Sequence, residues 1–269
     1  MKKELIERVQ KGVSAQERFN LLREELHHLI LQELDRKGAF SQICFVGGTA
    51  ARVLFGLDRY SEDLDFSLSQ NFKGGFRLEI LAKATQKSLD AFGFNCSLNK
   101  VRTIKTVQSC FVNFKEILHE TDRSFPSNQK LAVKLEVDTN PPAGAQEITS
   151  PVAAFRLYKV RHHDLPSLFA GKIAAVLCRK YAKGRDFYDF LWYSARKTPL
   201  NLVFLKNSLE QAGVTKIPSN LDYFKKMLME KFQKTDFAQA RKTCAPFLIN
   251  QDSLDLFDKK IFLKAVDAL

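Results

Sequence analysis

The sequence predicts an α+β protein with two domains, residues 1–165 and residues 166–269. Two observations carry this prediction. Short apolar and alternating runs typical of strands are found in the first part, and from residue 168 onward apolar side chains recur at helical spacing with short loops between them. The 269 residues are 45% apolar, enough for one sizeable core or two smaller ones. We therefore place a domain boundary at residues 164–167.

The chain is strongly basic, with a net charge of +12 and a pI near 9.5. This balance favours a polyanionic partner over an acidic small molecule. Residues 71–115 hold eight basic side chains against two acidic ones, and a second basic group consists of Arg179, Lys180, Lys183 and Arg185. Each group is either the solvated face of ordinary helices or a surface that follows the phosphates of a nucleic acid.

Neither the N-terminal residues nor the cysteines indicate export. Residues 1–12 are charged without an apolar core, and no run approaches the length that crosses a bilayer. The five cysteines have no C-x-x-C spacing, which argues against a zinc site and a disulfide framework. We therefore expect a cytoplasmic protein without a membrane partner, in which the cysteines are reduced packing residues.

The first elements are a long helix and a buried strand. Helical spacing predicts a helix over residues 5–34, ended by Lys37-Gly38. The apolar run of residues 43–46 predicts a strand, after which Gly47-Gly48 allows a tight turn and a close approach of the backbone to a phosphate. A helix should follow, with Thr49 and its N-terminal end directed at the same anion. In isolation, such a glycine pair is usually only a turn.

Asp63 and Asp65 follow this helix and begin a second strand. Side chains alternate along a strand, so both carboxylates lie on one face and can share one or two divalent cations. An isolated Asp-x-Asp is more often a solvated turn or a cap. Ser61, just before the pair, either binds a phosphate or fixes the turn.

Later segments complete the predicted sheet. We expect a helix over residues 77–91 and strands over residues 96–104, 107–114 and 131–138. The last of these is the clearest, because its apolar residues alternate with Lys134, Glu136 and Asp138. Two cations need a third carboxylate, for which Glu136 is the first choice and Asp138 the second; the alternative is the charged outer face of an edge strand.

The order strand, Gly-Gly-Thr, helix, Arg59, Ser61, Asp63, Asp65, strand resembles the signature of the DNA polymerase β-like nucleotidyltransferases. This resemblance implies a mixed sheet with flanking helices in the first domain. It also implies an NTP substrate and Mg²⁺ or Mn²⁺ as the cofactor, held by Asp63, Asp65 and Glu136. Gly47, Gly48 and Thr49 would then cradle the phosphates, with Ser61 beside them.

Residues 169–194 carry a second resemblance. Lys172 lies in an apolar segment, where a lysine is costly to bury unless it meets an anion or extends to solvent. Gly184-Arg185-Asp186 begins a helix, where Asp186 could cap free N–H groups. With the first motif, this Ala-x-Lys helix and the Arg-Asp-x-x-Asp element resemble the AbiEii/AbiGii nucleotidyltransferase toxins over residues 45–193. The resemblance implies that Lys172 and Asp186 are catalytic, with Arg185 and Asp189 as weaker candidates.

The resemblance implies transfer of an NMP to a hydroxyl acceptor, the 3′ end of a tRNA, by a toxin of an AbiE-type (type IV) toxin–antitoxin system. Its protein partner would be an AbiEi-like DNA-binding antitoxin. One alternative is transfer to a small molecule such as an aminoglycoside, or to a protein hydroxyl. Others are a non-catalytic nucleotide- or RNA-binding module of the same fold and an enzyme with a housekeeping or host-colonisation role.

Overall fold

The computed structural model describes residues 1–215 and 217–269 and confirms the α+β class. The strands are β1 (Ile43–Val46), β2 (Leu64–Leu68), β3 (Asn95–Leu98), β4 (Arg102–Ile104), β5 (Val107–Lys115), β6 (Leu131–Asp138), β7 (Glu147–Ala153) and β8 (Leu157–His163). The α-helices are α1 (Lys2–Val9), α2 (Ala15–Arg36), α3 (Gly47–Phe55), α4 (Leu78–Ala91), α5 (Ile117–Thr121), α6 (Leu165–Cys178), α7 (Gly184–Ala195), α8 (Leu202–Gln211), α9 (Leu221–Gln233), α10 (Phe237–Cys244) and α11 (Lys259–Asp267).

The described residues divide into two compact units. The first consists of residues 1–50, 61–141 and 148–162, and the second of residues 51–60, 142–147 and 163–269. None of the helices in the described part of the chain is long and apolar enough to cross a membrane.

The strands form a mixed sheet, which in the described residues has eight strands in the order β3-β5-β6-β2-β1-β8-β7, with β4 paired to β5. β2 is antiparallel to β1 and parallel to β6. The alternation predicted for residues 131–138 is confirmed, because Leu131, Val133, Leu135 and Val137 are buried and the residues between them are at least partly exposed. β6 lies between β5 and β2, so its polar face belongs to an interior strand and not to an edge.

The N-terminal helix predicted over residues 5–34 is wrong in its continuity, because the chain forms two helices there, α1 and α2. Ser14 separates them: its hydroxyl accepts a hydrogen bond from the Glu17 N–H and caps α2. Capping satisfies an N–H group that has no partner within the helix, so a serine in this position favours a new helix start over a continuous helix.

The single strand predicted over residues 96–104 is also wrong, because two strands, β3 and β4, pair with β5 in succession. Leu98 pairs with Val112 and Arg102 with Ser109, so the two registers differ by one residue. The chain that joins β3 to β4 has one residue more than the part of β5 that it faces, and this extra residue interrupts the strand, as in a β-bulge. Strands β7 and β8 were not predicted; much of β7 is exposed and its sequence lacks a regular apolar alternation.

In the second unit, phenylalanine side chains from several helices form the core. Phe187, Phe190, Phe232 and Phe262 are buried, and their ring centroids lie 5.0–6.3 Å apart. These separations are typical of offset and edge-to-face aromatic packing, which adds to the free energy of burial. The core thus fixes α7, which carries Asp186 and Asp189, against α9 and α11.

Gly184 is required where α7 packs against α10. A Cβ atom at this position would lie 1.9 Å from the Ala240 carbonyl oxygen and 2.8 Å from the Cys244 nitrogen. We expect Gly184→Ala to lower the free energy of unfolding by about 1–3 kcal/mol, because both contacts are with backbone that must shift. Urea denaturation followed by circular dichroism measures the change.

The matched control for Gly184→Ala is Gly171→Ala in α6. Its Cβ would lie 3.6 Å from the Phe204 ring, an ordinary contact, and alanine favours a helix over glycine by about 1 kcal/mol. Gly171→Ala should therefore be neutral or stabilising. Equal losses for the two variants would contradict the proposed backbone clash.

Candidate active site

The glycine pair begins α3 directly after β1. Gly47 has φ +78°, a conformation that favours glycine, and a Cβ atom there would lie 2.9 Å from the Asp65 Oδ2 atom. The helix therefore starts at the glycines themselves. Two separate constraints require glycine at position 47: the backbone conformation and the close approach of the Asp65 carboxylate.

Thr49 ties α3 to the segment that precedes the aspartate pair. Its hydroxyl is hydrogen-bonded to the Ser61 hydroxyl at 2.7 Å and donates to the backbone carbonyl of Asp63. The Thr49 side chain is 1% exposed, so these bonds form away from solvent, where they hold geometry well. Thr49 and Ser61 thus fix the turn before Asp63, one of the two roles considered for Ser61.

Asp65 and Glu136 are neighbours across the parallel pair of β2 and β6. Their Cα atoms are register partners, and residues paired in this way point to the same face of the sheet. Asp63 comes directly before β2, and its charge acts, with that of Asp65, on Lys134 of β6. Asp63, Asp65 and Glu136 are all partly exposed. The structure therefore places Asp65 and Glu136 on one face of adjacent strands, with Asp63 at the start of the first of them.

Asp138 is the partner of Ser67 in the same register. Its carboxylate accepts hydrogen bonds from the Thr106 hydroxyl and from the Asn140 N–H, both at 3.0 Å. It therefore holds the turn after β6. Of the two candidates for the third carboxylate, Glu136 is the one directly beside Asp65.

Lys134 lies close to these acidic side chains, and its ammonium forms an ion pair with Glu136. Burial alone would lower the Lys134 pKa, but the hydrogen bond and charge of Glu136, followed by the charges of Asp63 and Asp65, raise it. Among residues 1–215 and 217–269, no three His, Cys, Asp or Glu side chains are grouped as metal ligands. The carboxylates of Asp63, Asp65 and Glu136 nevertheless suit Mg²⁺, because carboxylate oxygens are hard ligands and these already attract the Lys134 ammonium.

His27 and Arg23 of α2 also contact the segment before Asp63. The His27 Nε2–H donates to the Glu62 carbonyl oxygen at 3.0 Å, and the Arg23 guanidinium lies 3.5 Å from the Glu62 carboxylate. Burial lowers the pKa of His27 to about 3, so the ring is neutral. The backbone that carries Asp63 is thus anchored by Thr49 and by α2.

We expect the protein to become less stable as the pH is lowered below about 6.5, the ordinary pKa of histidine, because His27 is buried in its neutral form. Its pKa in the folded protein is about 3, so only the unfolded chain takes up this proton between those values. The free energy of unfolding should lose about 1.4 kcal/mol per pH unit from this group. Denaturant titrations at pH 7, 6 and 5 should show a flatter dependence for His27→Gln, which cannot titrate; an unchanged slope would contradict the assignment.

In the second unit, Lys172 lies between two carboxylates. Its Nζ atom is 2.7 Å from the Asp186 Oδ1 atom and 2.8 Å from the Asp189 Oδ2 atom. Lys172 is only 12% exposed, so it does not extend to solvent. Asp186 also pairs with Arg179, and its carboxylate therefore does not cap α7.

Arg59 completes this ionic cluster by a bidentate pair with Asp189. Its Nε and Nη2 atoms donate to the two carboxylate oxygens at 2.6 and 2.7 Å, and both side chains are at most 2% exposed. Burial alone would raise the pKa of Asp189, but the charges of Arg59 and Lys172 lower it to about 2. Asp189 is therefore ionised at neutral pH and can hold Lys172 in its charged form.

The profile of one known protein family matches most of this chain. The sequence profile of the family described as nucleotidyl transferase AbiEii toxin, Type IV TA system, matches residues 29–261. This chain belongs to the AbiEii family. No curated protein sequence matches this AbiEii protein. Membership confirms the resemblance drawn from the two motifs and makes the chain a member of a nucleotidyltransferase family of type IV toxin–antitoxin systems.

Two solved structures are similar to the AbiEii protein over most of its length. JHP933 from Helicobacter pylori is 18% identical, with a TM-score of 0.48, over 93% of this chain and 88% of that chain. A protein from H. pylori described as a nucleotidyltransferase is also 18% identical, with a TM-score of 0.49, over 92% of this chain and 90% of that chain.

The AbiEii match includes both groups of candidate residues. In the first unit are Gly47, Gly48, Thr49, Ser61, Asp63, Asp65 and Glu136, and in the second unit are Lys172, Arg185, Asp186 and Asp189. The family implies an NTP substrate, a divalent metal and an antitoxin partner. Arg185 stacks on the Phe247 ring, 4.0 Å from its centroid.

Sequence reasoning missed several residues that shape the candidate site of the AbiEii protein. His27 belongs to neither motif, and Arg59 was named only as part of the first one. Their partners lie 35 and 130 positions away, at Glu62 and Asp189, so no local pattern identifies them. For Lys134 a signal was present, since it shares the polar face of β6 with Glu136.

Proposed function

We propose that this AbiEii protein transfers an NMP from an NTP to a hydroxyl of RNA, the 3′ end of a tRNA, and releases pyrophosphate. The observation that carries this proposal is the placement of Asp65 and Glu136 in register on adjacent strands, beside the glycine turn that begins α3. A glycine turn at a helix N-terminus suits phosphate oxygens, and adjacent carboxylates suit the cation that accompanies them.

Asp63, Asp65 and Glu136 would hold Mg²⁺ or Mn²⁺. Bound there, the metal supplies charge neutralisation at the α-phosphate and the leaving pyrophosphate and lowers the pKa of the attacking hydroxyl. Glu136 is suited to accept the proton of that hydroxyl, because its carboxylate is partly exposed. Lys134, which now pairs with Glu136, would then be displaced toward solvent or phosphate.

The phosphates of the NTP would bind the N–H groups of Gly47 and Gly48 at the start of α3. Thr49 would contribute its N–H, because its hydroxyl already bonds Ser61 and Asp63. Ser61 acts through Thr49 in this scheme, as a residue that fixes the turn.

Lys172 and Asp186 are proposed to act as a pair on the nucleotide. Lys172 is held charged by Asp186 and Asp189, since their charges raise its pKa against the opposing effect of burial. A lysine fixed in this way can neutralise phosphate charge without the entropy cost of ordering a free side chain. Asp189 and Arg59 would position it, and Arg185 would contribute to nucleotide binding.

Charge supports RNA as the acceptor. The chain has a net charge of +12, and the exposed basic residues Lys100, Arg102 and Lys105 lie within or beside β4. Several cations on one surface bind polyphosphates in a salt-dependent manner. We further propose a toxin that blocks tRNA charging in the cytoplasm and is opposed by an AbiEi-like antitoxin.

The test is incubation of the purified protein with Mg²⁺, each of the four labelled NTPs and total tRNA, beside an Asp63→Ala/Asp65→Ala control. Label in tRNA with the intact protein alone would support the proposal and identify the nucleotide. A small-molecule or protein acceptor would leave tRNA unlabelled while nucleotide binding persists. Added salt separates these outcomes, since affinity for RNA should fall steeply and affinity for a small acceptor should not.

A further inference from the structure

The segment between α6 and α7 presents an aromatic ring among cations. Tyr181 is 76% exposed, although a tyrosine ring usually covers part of the core. Arg179, Lys180, Lys183 and Arg185 flank it within four positions on either side. A single exposed tyrosine needs no explanation, but an exposed ring within a short run of basic residues is typical of surfaces that bind single-stranded nucleic acids.

The positive charge of this segment is only partly neutralised. Arg179 pairs with Asp186, whereas Lys180 and Lys183 form no ion pair within the described residues. Burial is the main reason for the lowered pKa of Lys183, and the positive charges of Arg185 and Arg179 lower it further. An anion bound here would relieve that repulsion.

The segment is anchored at both ends, so Tyr181 is presented from a fixed backbone. Lys231 donates to the Arg179 carbonyl oxygen at 2.6 Å, and the Gly184 N–H donates to the Thr243 hydroxyl at 3.1 Å. Because Arg179 also pairs with Asp186, the segment is continuous with the ionic cluster around Lys172. A ligand on Tyr181 would therefore lie beside that cluster.

We propose that residues 179–185 bind the single-stranded end of the acceptor RNA, with one base stacked on Tyr181 and phosphates bound by Lys180 and Lys183. This inference rests on the proposed function in taking RNA as the acceptor. RNA fits better than a mononucleotide because the ring is open to solvent. A free nucleotide would gain little more than one stacking contact there, whereas a strand adds consecutive phosphates.

Fluorescence anisotropy with the full-length protein tests the contact, using a labelled 12-nucleotide single-stranded RNA and total tRNA as probes. Tyr181→Ala should weaken binding of both by about 5- to 100-fold through lost stacking, and Tyr181→Phe should bind like wild type. Lys180→Gln and Lys183→Gln should each lower the slope of log affinity against log salt by about 1. Lys260→Gln, an exposed lysine in α11, is the matched control and should leave the slope unchanged.

The outcomes separate this inference from the proposed function. Wild-type RNA affinity in Tyr181→Ala, with tRNA still labelled by the wild type, would overturn the RNA contact and leave the transferase proposal intact. Weakened RNA binding in Tyr181→Ala without any transfer to tRNA would support the surface and refute the acceptor. Loss of NTP binding in place of RNA binding would assign Tyr181 to the nucleotide and also overturn the inference.

Discussion

Asp65→Asn is expected to lower the rate of nucleotidyl transfer by roughly 10³-fold, since a lost metal ligand removes several kcal/mol of transition-state stabilisation. Asn preserves the shape of the side chain beside Gly47, where a Cβ atom would lie 2.9 Å from the Asp65 Oδ2 atom. The fold should therefore be retained. Initial rates of label incorporation at saturating NTP, together with thermal unfolding of each variant, measure the two effects.

Glu79→Gln is the matched control, because it removes a carboxylate whose partners are the surface residues Lys83 and Arg77. It should transfer at the wild-type rate. Turnover close to wild type in Asp65→Asn would refute the proposed reaction centre. Glu136→Gln should cost far more activity than Asp138→Asn; the reverse order would move the third carboxylate to Asp138.

Asp189→Asn is expected to destabilise the protein by about 3–5 kcal/mol, the usual cost of removing one partner of a buried ion pair. The change would leave Arg59, which is 2% exposed, without its bidentate partner and remove one of two carboxylates around Lys172. Chemical denaturation at pH 7 measures the loss. Asp222→Asn, in the exposed first turn of α9, should cost under about 1 kcal/mol and serves as the control.

The pH dependence of this pair provides a second measurement. The Asp189 pKa is lowered from 3.8 to about 2 on folding, so between these values the unfolded chain binds the additional proton. The stability that the ionised Asp189 contributes is present above about pH 4 and is lost as the pH falls toward 2. Replacing both partners, as in Arg59→Met/Asp189→Leu, should recover part of the stability, because no buried charge is left unpaired by that change. A double variant less stable than Asp189→Asn would contradict this account.

Much of the candidate site could be predicted because its signals are local. Gly47-Gly48, Asp63 and Asp65 lie within one short segment, and the alternation in residues 131–138 identifies the face of Glu136 without any knowledge of the sheet. Local patterns did not predict where elements are interrupted. The Ser14 cap divides the predicted N-terminal helix, and one extra residue divides the predicted strand into β3 and β4.

The sequence by itself determined the α+β class, the membership of the AbiEii family and the residue types of the site, because spacing and chemical type are properties of the chain. Only the tertiary structure decided which side chains meet. The register of Asp65 with Glu136, the hydrogen bond of His27 to Glu62 and the pair of Arg59 with Asp189 join residues far apart in sequence. Such contacts depend on how strands and helices pack, and packing is not encoded in any local pattern.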